Sequence, residues 1–216
     1  MGFLDSLFNS AKSSIENGVN SAVKKTVHEA QRTAQNKASS AINKAMTQKK
    51  KSFTFGAIPT SLDELKALKE ADMKDPSGVV ALTILAFNAL VENNEVGMQM
   101  LDFLNGPADI CNKEKQFVND RFMDGKEYVV KSYFKGATPT NNYTPNVPYV
   151  IEVGEQAHSK DIIGEGYLKL FVHSGGADSD RYMILRKKAS TGQWFLWEYS
   201  SILASIRIPT EADKWA

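Results

Sequence analysis

A chain of 216 residues with 42% hydrophobic and 24% charged side chains has the composition of a globular protein and the length of one or two domains. Its single cysteine, Cys111, excludes an internal disulfide framework, and its longest apolar run, residues 79–91, is too short to cross ~30 Å of bilayer hydrocarbon. The net charge of +1 conceals a split: residues 1–51 carry nine basic and three acidic side chains, net +6, and residues 52–216 carry seventeen and twenty-two, net −5.

From Leu4 to Ala45 an apolar or small residue recurs about every 3.7 positions, with no proline and with Gly18 as the only interior glycine. That spacing predicts one stripe along a long amphipathic helix over residues 1–51. The stripe is bulky at first (Phe3, Leu4, Leu7, Phe8, Ile15, Val19) and mostly alanine later, while Lys24 and Lys25 open a lysine-rich stretch. Such a helix suits the headgroup layer of an anionic membrane, and equally a protein partner or a second copy of itself. Nucleic acid is not the expected partner, because the segment has one arginine and no aromatic among its lysines. The start interrupts its apolar residues with Asp5, Ser6, Asn9 and Ser10, so no secretory signal is expected. This favours a cytoplasmic location, peripheral on the inner face of the membrane if the helix binds lipid.

Residues 52–216 read as a separate domain. Ser61 and Glu64 form a capping box, and helices are expected near 61–72, 76–92, 94–105 and 113–123. The run 79–91 should be a buried core helix, and Asn105, Gly106 and Pro107 a stop signal. Cys111 has no nearby histidine or second cysteine to suggest a metal or nucleophilic role. From Tyr128 the apolar period shifts towards two, predicting antiparallel strands at 128–134, 147–153, 166–173, 181–188, 193–199 and 203–208, the last ones in a meander. Trp194 and Trp197 should lie on opposite faces of their strand. Helices first and strands afterwards imply an α+β fold: the long helix, then a small helical bundle (61–123) packed on a C-terminal antiparallel sheet (128–208).

Two polar segments are the candidate ligand-binding regions. One, residues 132–148, contributes Tyr133, Asn141, Asn142 and Tyr143. The other, SGGADSDR at 174–181, contributes Ser174, Asp178, Ser179 and Arg181 and leads to Arg186. The glycines of the second segment are expected at positive φ in a hairpin loop, with exposed Asp178 and Arg181 contributing little to folding. A sharper possibility is a polar pocket for an anion or a peptide carboxylate. His173, Ser174 and Asp178 are neighbours in one strand and turn, an arrangement that rarely converges into a hydrolase triad. Gly-x-Ser-x-Gly, HExxH, paired CxxC, the P-loop and GxGxxG are all absent, so no catalytic residue, metal or cofactor is expected. With its GATPTNNYTP core (136–145), SGGADSDR, WFLWEY (194–199) and residues 209–216, the chain resembles an uncharacterised bacterial family, a domain of unknown function, over roughly 52–216. The resemblance implies a shared fold and no particular reaction. The expected role is a non-enzymatic binding or scaffold protein. The rival is an enzyme with its site between residues 132–148 and the 174–181 hairpin.

Overall fold

The structure, a computed structural model, describes residues 50–123 and 125–215, all within the unit Met46–Ala216. The expected amphipathic helix, with Phe3, Leu4, Leu7, Phe8, Ile15, Val19, Lys24 and Lys25, lies outside the described residues apart from Lys50 and Lys51, which belong to a β-strand and not to a helix.

The apolar run organises the domain. Strand β1 (Lys50–Phe55) is followed by a short helix α1 (Leu62–Lys66) and then by α2 (Pro76–Glu92), started by Pro76 and by the Asp75 side chain accepting from the Ser77 amide. Every residue of α2 from Ser77 to Leu90 is buried, as a helix that is apolar all round requires. Its two polar interior groups bond within the fold: Thr83 Oγ1 donates to the Val79 carbonyl (2.8 Å) and Asn88 Nδ2 to those of Ile84 (2.8 Å) and Val130 (3.2 Å). Helix α3 (Asn94–Asn105) folds back on α2 through Gly97, where a Cβ would stand 2.2 Å from Leu90 Cα. Gly106, at φ 96°, then ends α3. Helix α4 (Asn112–Arg121) begins at exposed Cys111, whose amide donates to Glu114 Oε2 at 3.2 Å.

The strands β2 (Tyr149–Gly154), β3 (Tyr167–Val172), β4 (Arg181–Lys187) and β5 (Trp194–Glu198) join β1 in one antiparallel sheet of order β1-β2-β3-β4-β5. The fold is α+β, with helices on the inward face of the sheet. Phe53, Ile151, Val153, Leu170, Met183 and Leu196 point inward to the core, and α2 packs against β1, β2, β3 and β5. The outward positions of β3–β5 are half-buried or exposed. Trp194 is buried and Trp197 is 52% exposed, on opposite faces as expected.

Three expectations are corrected. Residues 128–134 are not a strand. Tyr128–Lys131 is helix α5, because Val129, Val130, Tyr133 and Phe134 are all buried, a grouping that a helical turn can bury together and a strand would split between two faces. Residues 203–208 are not a strand either: a 3₁₀ turn covers Ser200–Leu203 and Ser205 takes φ 57°, which breaks extended backbone. Leu68, at ψ 143°, divides the expected 61–72 helix into α1 and a 3₁₀ turn at Lys69–Asp72.

Candidate functional site

The two polar segments meet, and what joins them is buried hydrogen bonding. At the end of β3 the chain leaves the sheet: β2 and β3 pair only through Val153↔Val172 and Gly154↔Phe171, so the sheet splays beside Val150 and Glu152. Residues 133–138 fill the split, with the Lys135 amide donating to the Val150 carbonyl at 2.8 Å. The Gly175 amide donates to the Ser132 carbonyl (2.9 Å), the Ser132 and Ser174 hydroxyls lie 2.8 Å apart, and the Gly176 amide donates to Ser174 Oγ (3.2 Å). Neither glycine has positive φ, so that expectation is corrected. What they supply is close approach. A Cβ on Gly175 would stand 1.9 Å from the Ala137 carbonyl oxygen, and one on Gly176 2.1 Å from the Tyr143 hydroxyl.

The candidate side chains fall into three places. Tyr133 and Tyr143 are core residues. Tyr133 donates to the Ile202 carbonyl (2.7 Å) and Tyr143 to that of Arg207 (2.6 Å), while the Tyr143 ring stacks on Tyr128 at 5.4 Å. Burial pushes the Tyr133 phenol far above its ordinary range, against the opposing charge of Arg181. It pushes Tyr143 up to about 12, helped by Tyr128 and opposed by Arg207. Asn141 clips its own loop: Nδ2 donates to the carbonyls of Gly136 (2.8 Å) and Thr144 (3.1 Å), and Oδ1 accepts from the Thr138 amide (2.9 Å). Asn142 is exposed at φ 52°. Ser174 is buried at the seam, and Asp178, 86% exposed, pairs with Arg207. Arg181 is half-buried, not an exposed hairpin residue. Its guanidinium donates to the Ser205 carbonyl (2.6 Å) and to Ser179 Oγ (3.2 Å), while its buried Nε has no partner. Arg186 stands apart at the far end of β4, facing Tyr167 and Trp197.

His173, Ser174 and Asp178 form no triad. Exposed His173 and buried Ser174 are adjacent residues just past the end of β3, and His173 pairs instead with Asp180, Nδ1 to Oδ1 at 3.1 Å. Hydrogen bonding to Asp180 raises the His173 pKa, against partial burial and the charge of Lys50. The same bond lowers that of Asp180, whose other oxygen accepts from Gln156 at 3.3 Å. His173 of this pair stands at a cleft of about 310 Å³ lined by Tyr133–Thr138, Val150, Glu152, His173 and Gly175. Lys135 pairs with Glu152 across it at 2.9 Å. The cleft offers apolar walls, a His–Asp pair and a Lys–Glu pair. Its side-chain hydroxyls are engaged: Thr138 lies 3.0 Å from Thr140 Oγ1, and Tyr133 bonds to Ile202. Among the described residues no group of three or more His, Cys, Asp or Glu is arranged to hold a metal ion.

Sequence reasoning did not single out Asp180, Lys135, Glu152 or Arg207. Each acquires its place through a partner 7 to 29 positions away, and no local pattern signals such a pairing. A family profile described as "Domain of unknown function (DUF6935)" matches residues 57–210, so the chain belongs to that family. No curated protein and no solved structure matches it.

Proposed function

We propose that this member of the family is a non-enzymatic binding or scaffold protein, attached to an anionic membrane surface or a partner through residues 1–51. The observation that carries the reading is the state of the two polar segments: Ser132, Ser174, Tyr133, Tyr143, Asn141 and Arg181 are committed to one another or to backbone, as structural groups are. The opposite charges of the two parts of the chain, +6 and −5, support a division of labour between attachment and recognition. Far-ultraviolet circular dichroism of a peptide of residues 1–51 tests the attachment. Helicity should rise on anionic vesicles and not on zwitterionic ones. An unchanged spectrum, with the full chain self-associating, would make the stripe a protein interface.

A second reading has one observation in its favour, the His173–Asp180 pair at the edge of the cleft. An enzyme of unrecognised type working there would hydrolyse chromogenic esters or phosphoesters in a manner that His173→Asn abolishes.

A further inference from the structure

The outward face of the sheet supplies what residues 1–51 lack, aromatic rings set among cations. Lys169 Nζ stands 4.0 Å from the Tyr182 ring centroid and 5.8 Å from that of Phe171, two residues that face each other across β3 and β4. One step along the sheet, the Arg186 guanidinium lies 5.0 Å from the Trp197 ring and 5.6 Å from Tyr167, and those two rings meet edge to face at 5.5 Å. The β4–β5 ladder shifts register between Ile184 and Leu185, and Trp197 sits at this irregularity with its indole turned outward.

On this face cations outnumber carboxylates without an ion pair. Among the described residues neither Lys169 nor Arg186 makes a salt bridge. The five strands carry only two carboxylates: Glu152 is paired with Lys135, while Glu198 accepts from the Ser200 amide (2.8 Å) and keeps its negative charge beside Trp197. Beyond Arg186 the exposed Lys188 adds a positive charge at this end of the sheet, while Lys187 lies over Trp194 on the other face. A second copy presenting the same face would be repelled. A partner that complements the face has repeated negative charges and flat rings that can stack.

We infer that the outward sheet face binds single-stranded nucleic acid, phosphates to Lys169 and Arg186 and unpaired bases to the rings of Trp197, Tyr167 and Tyr182. The inference rests on reading the domain as a binding module and names its partner class. The test is fluorescence anisotropy of a labelled twelve-nucleotide pyrimidine strand, RNA and DNA, titrated with the full chain at 50 and 200 mM salt. Saturable binding is expected, with a log–log salt slope near −1.4 for two neutralised phosphates at about −0.7 each. Trp197→Ala should weaken it by about 5- to 150-fold, the range for one lost base stack. Trp197→Phe should keep most of the affinity, and Lys169→Gln with Arg186→Gln should weaken binding and flatten the slope. Melting by circular dichroism verifies that each variant folds. Absence of binding at 50 mM salt overturns the inference. So does equal affinity for a duplex, or binding that these variants leave unchanged, which would place the strand on the lysines of residues 1–51. Flotation on anionic vesicles, run on the same protein, separates the readings: a chain that floats but ignores the oligonucleotide loses this inference alone.

Discussion

Gly175→Ala should destabilise the domain by about 2–4 kcal/mol, although it adds one methyl group to a residue with no positive φ. The added Cβ would stand 1.9 Å from the Ala137 carbonyl oxygen, where contacts under 3.0 Å do not persist, so the backbone of residues 137–138 must move by more than an ångström. Overpacking of this kind costs about 1–3 kcal/mol. The displacement also loosens the bond from the Gly175 amide to Ser132 (2.9 Å) and the Ser132–Ser174 contact (2.8 Å), each worth about 1 kcal/mol when buried. Gly164→Ala is the control, since a Cβ there meets nothing within 4 Å. Urea unfolding of the full chain, followed by circular dichroism, should show the transition of Gly175→Ala at lower urea with an unchanged slope. A Gly175→Ala unfolding free energy within ~0.5 kcal/mol of wild type would refute the idea that the two segments are locked together by close approach.

Three further outcomes follow from the same geometry. Arg181→Ala should lower unfolding free energy by about 1–2 kcal/mol through loss of the bonds to Ser205 and Ser179, and Arg181→Lys, which lacks the planar fork, should not restore it. A chain of residues 57–216, which spans the family match but lacks β1, should fail to unfold cooperatively in urea because β2 loses its partner and the core loses Phe53 and Phe55. The His173–Asp180 pair should give a shallow stability optimum between about pH 4 and 6.5. The raised His173 pKa contributes stability below the unfolded value of 6.5 and loses it as pH rises through the folded one, while the lowered Asp180 pKa contributes above 3.8 and loses it as pH falls. His173→Gln should flatten this dependence by less than ~1 kcal/mol, since the His173 side chain is largely exposed and solvent screens the pair.

What could be read in the sequence was whatever a local pattern encodes. Helices α2 and α3 announce themselves through an apolar run, Pro76 and the Asn105–Gly106 stop. Strands β2 to β5 do so through alternation. Residues 128–134 misled because Tyr and Val favour strands while the spacing of Val129, Val130, Tyr133 and Phe134 serves a helical turn, and composition outvoted period. Strand β1 is missing from the expected strands, since its partner β2 lies almost a hundred residues later. The candidate segments were found, but their polarity was read as outward-facing. Tyr143 and Ser174 are polar in composition and buried in place because carbonyls and hydroxyls from distant segments satisfy them. The row of rings and cations on β3 to β5 was present in the alternation, yet it gains meaning only once register sets Lys169, Arg186 and Trp197 side by side.

Attachment through residues 1–51 is tested most directly by flotation of the full chain with vesicles, anionic and zwitterionic, for the wild type, Leu7→Asp and Phe8→Asp. Burying a large apolar side chain contributes roughly 1.5–3 kcal/mol at full depth and less at an interface, and each lysine near a negative surface about 1 kcal/mol. The wild type should float with anionic vesicles only, added salt should weaken this, and either aspartate should abolish it. A chain that stays in the unbound fraction with anionic vesicles, and in pull-down retains no partner that Leu7→Asp releases, would contradict attachment through residues 1–51.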